Sequence, residues 1–358
     1  MKLCSSAAGI AVALLCGNSF ARAQSSNYEF NDSHFHLTNY IQEGTDIHAF
    51  LKIMGDKAGR VAIFGIPLQQ QWSYRVDGDN APTYYLNTDA PLYYYSFTDA
   101  WIAMAYKSLP SEQRARLDPM ITGFNPADMY AVDHIRRVLQ TFPGVFSGIG
   151  EFSIHKEFVA AKIAGEVASL QDPALDRILD FAGEVGLVVL IHNDMDVPFA
   201  KEGSPPAYLE QAKAVFKRHP DTTIIWAHTG MGRVVRPIKN HAAHVAEILE
   251  DPEFKHVYFD ISWDEVAKYI VATPEATQIT ADLMNRYPDR FLFGTDEVAP
   301  ADQQKYTRVF EQYDPLWALL DAETSRKVRL GNYERIFDAA RQRVRNWESA
   351  HAVGFSSQ

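Results

Sequence analysis

Eight short apolar runs rich in strand-forming residues, set among longer stretches of helical periodicity, constrain this chain more than any other feature. They are Phe30 to His36, Arg60 to Ile66, Pro119 to Asn125, Val145 to Phe152, Leu187 to His192, Thr223 to His228, His256 to Ile261, and Phe291 to Asp296. Helical candidates among them include Pro173 to Val185, Ala207 to Lys217, Ile238 to Glu250, and Pro274 to Arg286. Strand and helix in alternation give parallel βα units, and eight such units can close into a (β/α)8 barrel of the TIM type. The expected fold is therefore α/β, with the working residues at the rim where every strand ends. The tail from Ala322 to Trp347 reads as one or two amphipathic helices closing the outside of the barrel.

At 358 residues the chain has room for two ordinary domains, but the order of the runs is unbroken and a single domain over 24–358 is expected. The segment before it has a basic start at Lys2, an apolar run from Ala7 to Leu15, and Ala21 and Ala23 spaced as a cleavage site. That is the pattern of a secretory signal peptide over 1–23, and it implies a periplasmic or secreted product. Lipidation at Cys16 is the rival reading, weakened because Leu15, not a small residue, precedes it. Cys4 and Cys16 are the two cysteines, so the processed chain would carry no thiol, and a metal site could use only imidazole and carboxylate. The formal charge of −11 becomes −13 once Lys2 and Arg22 are removed. That balance disfavours nucleic acid as a partner, since such surfaces need clustered Lys and Arg. No later apolar stretch is long enough to span a bilayer. A small-molecule substrate is the expected partner, with a homo-oligomer left open.

Five of the runs end in metal-competent side chains: His34 and His36, Glu151, His192, His228, and Asp296. In a parallel barrel those ends meet at one rim. The H-x-H spacing puts both rings on one side of a strand, where they can grip one ion. Imidazole with carboxylate suits zinc and other first-row divalent ions, and a catalytic site keeps a position open for water, whose pKa falls to about 7 in favourable zinc sites. Asp296 could ligate the ion, accept the proton of that water and pass it to the leaving group. An isolated His or Glu at a strand end is more often merely packed or hydrogen-bonded, and it is the ordered set that points to metal.

That ordered set resembles the amidohydrolase superfamily, and within it the amidohydrolase-related (amidohydrolase 2) branch of metal-dependent TIM-barrel hydrolases. Its pattern is H-x-H on strand one, an acidic or carboxylated residue on strand four, His on strands five and six, and Asp on strand eight. Arg290 to Asp296 and the Gly331-Asn332 pair are similar to further features of the branch. The resemblance implies one of two metal arrangements. Either Glu151 bridges two ions, one held by His34, His36 and Asp296 and the other by His192 and His228, or His192 joins a single ion and His228 acts on the substrate. Hydrolysis of a carboxylic ester, lactone or amide is the first implied activity, and non-oxidative decarboxylation of an aromatic or related acid the second. A non-catalytic exported metal- or ligand-binding barrel is the reading outside catalysis.

The remaining assignments rest on fewer residues. Asp32 and Asp194 are expected to orient ligands without binding metal. Substrate contacts are expected from Trp72, Arg75, His155 and Arg233, with Tyr74 and Trp263 as further aromatic candidates. The long segment from Pro67 to Leu109 would either wall the pocket or pack on itself. His48, His134, His219, His241, His244, His256 and His351 are expected to be solvated or packed.

Overall fold

A computed structural model of the chain describes residues 28–39, 43–66, 79, 97–156, 168–201, 203–232 and 239–352. The signal segment, most of the aromatic insertion, and Trp72, Tyr74, Arg75 and Arg233 lie outside these residues. The strands are β1 (Phe30–His36), β2 (Ala58–Phe64), β3 (Leu117–Ile121), β4 (Gly148–Ser153), β5 (Val188–His192), β6 (Thr223–Trp226), β7 (Val257–Asp260), β8 (Phe291–Leu292) and β9 (Glu297–Val298). All pairings are parallel, in the order β8-β7-β6-β5-β4-β3-β2-β1-β9. β8 and β9 are two pieces of one irregular eighth strand. On one side the Ile261 amide donates to the Leu292 carbonyl, and on the other the Ser33 amide donates to Phe293 and the Asp296 amide to His34. The eighth strand thus bridges the seventh and the first, which makes this a TIM barrel.

The helices follow local chemistry. Pro173–Val185 begins with proline at its first position and ends at Gly186, whose φ of 87° suits a residue without Cβ. Pro274–Arg286 is capped by the Thr273 hydroxyl, which accepts from the Ala276 amide. At the end of the long insertion, Thr98–Ser108 is a helix that buries Ile102, Ala103 and Tyr106. Its Asp99 accepts from the backbone amides of Thr122 and Gly123 just beyond β3.

Alternate residues of the strands face the two sides of the barrel wall. Val61, Ile63, Val189 and Ile191 pack outward under the helices, whereas Ala62, Phe64, Met120, Val188, Leu190, Ile225 and Leu292 fill the interior. The same interior cluster contains Tyr333, Ile336, Phe337 and Ala340 of the terminal helix Asn332–Ala350. This corrects the expectation for the tail, which plugs the barrel's floor as well as lining its outside. The plug is fastened by polar contacts. Asp118, fully buried on β3, accepts from Tyr333 (2.7 Å) and Arg60 (3.0 Å) and pairs with Arg341, and the Asn332 amide donates to the carbonyls of Pro288 and Phe291. The terminal helix thus fills the barrel's floor, at the end opposite the strands' C-terminal rim.

Candidate metal centre

The inward rows of the strands run directly into polar side chains at the rim. Val188 and Leu190 continue into His192, and His34 and His36 form the matching row on β1. Glu151 reaches the rim by a different route. Strict alternation would send it outward with Ile149, but the pairing of β4 with β5 shifts register between Ile149 and Phe152. Gly150 makes this possible, because at φ 117° a Cβ there would sit 2.1 Å from the Leu190 carbonyl oxygen. Two site residues adopt the left-handed region that L-residues rarely occupy. β6 stops at Trp226, His228 lies in a tight turn at φ 57°, and Asp296 sits at φ 52° between β8 and β9. Such conformations cost on the order of 1–3 kcal/mol each and persist where the surroundings fix them.

All six rim residues converge. Asp296 Oδ1 lies 3.2 Å from His34 Nε2 and 3.0 Å from His36 Nε2, while Glu151 Oε2 lies 3.7 and 3.4 Å from the same two atoms. Glu151 Oε1 accepts from His192 Nδ1 at 2.6 Å, and Asp296 Oδ2 stands 3.9 Å from His228 Nε2. His34, His36, Glu151 and Asp296 form one group able to hold a cation, and Glu151, His192 and His228 form a second. A tetrahedral ion with ligands at about 2.0–2.1 Å sets its ligand atoms roughly 3.3–3.4 Å apart, close to the spacing in the first group. Three buried atoms facing this space, His34 Nε2, His228 Nε2 and Glu151 Oε2, have no hydrogen-bond partner of good geometry among the described residues. Buried polar atoms are costly to leave unsatisfied, so the donor set fits a cation.

The chain matches the amidohydrolase family over residues 32–339. It is an amidohydrolase-family protein. No curated protein matches it. Among solved structures it is similar to 2,6-dihydroxybenzoate decarboxylase from Rhizobium, with 12% identity over 87% of this chain and 99% of that one, at a TM-score of 0.52. It is also similar to a putative 2-pyrone-4,6-dicarboxylic acid hydrolase from Pseudomonas putida, with 15% identity over 87% and 98% of the two chains and a TM-score of 0.50. A third is an amidohydrolase from Burkholderia multivorans with bound zinc, with 13% identity over 81% and 87% and a TM-score of 0.50. At these identities the likeness establishes the shared barrel fold.

In this amidohydrolase the far nitrogens of the rings are tied to acceptors that the sequence did not single out. His36 Nδ1 donates to the Gly65 carbonyl at 2.7 Å and His34 Nδ1 to Asp260 Oδ2 at 3.0 Å. Ser262 Oγ donates to Asp260 Oδ1 at 2.6 Å, so its oxygen is left to accept from His228 Nδ1 at 2.8 Å. Each contact places a proton on Nδ1 and turns Nε2 toward the cluster, so that the neutral ring is the tautomer a metal ligand needs. Asp260, Ser262 and Lys156, whose Nζ is 3.2 Å from Glu151 Oε1, are the residues sequence reasoning missed. The one available signal was the D-x-S spacing at the end of the seventh run, the same spacing as H-x-H.

Charge follows geometry. Burial works against protonation of His34 and His36, yet Asp296, helped by Asp260 and Glu151, outweighs it and raises both pKa values. Burial and the Lys156 charge oppose protonation of His192, but Asp194 and Glu151 raise it to about 9. Burial and then the neighbouring His192 hold His228 neutral, with a pKa pushed down to about 3. Asp296 and Glu151 are ionised, burial being overcome by their basic neighbours.

The second rank of expected residues divides. Asp194 accepts from His192 Nε2 at 3.0 Å. Asp32 touches no ring. It accepts from the His34 and Thr295 amides, the Thr295 hydroxyl and Tyr306, lacing β1 to the eighth strand, and its burial lifts its pKa to about 6. His155 is stacked on Tyr208 with centroids 3.7 Å apart, outside the groups able to hold a metal, and Trp263 lies 5.0 Å from the His228 ring. His134 pairs with Asp99 and His219 with Asp176, while His241 and His256 contact the carbonyls of Thr229 and Phe216 and His351 that of Trp347. None of these belongs to a group able to hold a metal among the described residues.

Proposed function

We propose that this protein is a metal-dependent hydrolase that cleaves a carboxylic ester, lactone or amide. The observation that carries the reading is the set of Nε2 atoms on His34, His36 and His228, turned inward by Gly65, Asp260 and Ser262 onto two ionised carboxylates. His34, His36, Glu151 and Asp296 would hold the ion, with His192 and His228 completing the surround. Zinc suits this imidazole and carboxylate set. When bound, the ion supplies Lewis acidity and a water of lowered pKa.

The chain's own groups handle position and protons. Among the six residues, the Asp296 side chain is the most exposed at 9%, while those of His34, Glu151 and His228 are at 0%, so substrate meets the cluster at Asp296. Its Oδ2 points away from His34 and His36 toward His228, which leaves it placed to take the nucleophile's proton and return it to the leaving group. His228, neutral and with its lone pair inward, can accept a hydrogen bond from the same water. The Trp263 ring lies 5.0 Å from that of His228, which favours a substrate with a flat acyl portion.

The test is a panel of esters, lactones and amides assayed with the zinc-loaded protein, alongside carbon dioxide release from hydroxybenzoates. Hydrolysis that falls about 10²- to 10⁴-fold in Asp296→Asn is the expected result. Carbon dioxide release without hydrolysis would move the assignment to a decarboxylase, and an elemental count of zero ions in the active wild type would remove the metal reading altogether.

A further inference from the structure

The two oxygens of Glu151 are treated differently by the protein. Oε2, which faces His34 and His36, has no hydrogen-bond partner of good geometry among the described residues. Oε1 has two partners, His192 Nδ1 at 2.6 Å and the Lys156 ammonium at 3.2 Å. An ion bridging Glu151 to the His192 and His228 group would have to use Oε1, the atom these donors already occupy. Lys156 is not a loose surface side chain. It is 15% exposed, and its Nζ lies 5.8 Å from the Trp263 ring centroid, where the ring face favours a cation. A divalent ion at Oε1 would stand within a few ångströms of that ammonium, and at such separations like charges in a buried setting repel strongly.

We propose that the Lys156 ammonium takes the electrostatic place of a second metal ion, so that this chain holds a single divalent cation on the Oε2 side of Glu151. The inference rests on the metal reading above and specifies it. Glu151 then serves as a hinge between one exchangeable cation and one covalently tethered cation. His192 is held as a hydrogen-bonded partner of Glu151 and Asp194, and the His228 lone pair is free to act on water or substrate. The rim gains a fixed positive group beside the ion, which suits a substrate whose reacting carbonyl stands next to an anionic substituent.

The experiment counts ions in the full-length processed protein after equilibration with zinc chloride and desalting, by elemental analysis and by calorimetric titration. Wild type should hold one zinc per chain, and Lys156→Arg, which keeps the charge, should also hold one. Lys156→Met, which removes the charge, should hold two, with the added ion lost again when Glu151→Gln is combined with it. Two ions in wild type, or one in Lys156→Met, would overturn the proposal while leaving the metal-dependent hydrolase intact. No ion in wild type would overturn both. Should Lys156→Met fail to fold, Lys156→Gln keeps a donor without the charge and must show the same second ion, or the proposal fails.

Discussion

Asp260→Asn isolates the claim that the imidazole tautomers are set by partners beyond the cluster. The two oxygens of Asp260 carry unequal loads. Oδ1 accepts from the His228 amide at 2.7 Å, the Ser262 hydroxyl at 2.6 Å and the Ser262 amide at 3.2 Å, whereas Oδ2 accepts from His34 Nδ1 at 3.0 Å. An asparagine amide has one oxygen, which must take the crowded position. Its NH2 group then faces His34 Nδ1, and an N–H cannot donate to an N–H. The neutral His34 ring is driven to the opposite tautomer, with its Nε2 proton toward Glu151 and Asp296, where metal binding needs a lone pair. Loss of such a supporting partner costs about 10–100-fold in metal affinity, equivalent to roughly 1.4–2.8 kcal/mol. Zinc affinity, measured by competition with a chromophoric chelator, should fall by that factor, while the thermal midpoint of the ion-free protein moves less than in Asp260→Ala. The alanine variant strands the His228 and Ser262 amides without an acceptor, at about 1–3 kcal/mol each. Unchanged zinc affinity in Asp260→Asn would refute the tautomer argument.

The acid–base state of the ion-free centre gives a second expectation. His192 has its folded pKa raised to about 9, so its contribution to stability is fully present below about pH 6.5 and is lost as pH rises through about 9. The ion-free protein should melt at progressively lower temperature across that window, and zinc uptake should release protons and tighten with pH over the same range. A flat profile in both measurements counts against the protonated resting state. Gly150→Ala should prevent recovery of soluble, metal-binding protein, because a methyl group 2.1 Å from the Leu190 carbonyl cannot be relieved by a side-chain rotation. A normal urea midpoint in that variant would contradict the account of Glu151. Tyr333→Phe removes the hydroxyl that donates to buried Asp118 and should cost about 1.5–3 kcal/mol in chemical denaturation without altering zinc affinity, since it lies at the opposite end of the barrel. Export predicts a processed amino terminus at Gln24, readable by intact mass, and an unprocessed or lipidated chain in the native host would reject it.

Much of this protein is legible without coordinates because the relevant rules are local. The alternation of apolar runs with helical stretches fixes a parallel barrel, and the two-residue period of a strand places His34 beside His36 and His192 beyond Leu190. Proline and glycine mark the ends of Pro173–Val185 where the chain in fact begins and ends that helix. Other features depend on contacts between residues far apart in sequence, and no local period encodes them. Glu151 faces the site only because β4 slips its register against β5. Lys156 reaches Glu151 beside the Trp263 ring, and the proton of His34 is placed by Asp260, 226 residues away. The tail's amphipathic pattern shows that it must bury a face, but the choice of the barrel floor follows from the shape of the closed interior. The chain thus specifies which side chains arrive at the rim. Three-dimensional packing determines which of their atoms carry protons, lone pairs and charge, because those depend on the nearest partner in space.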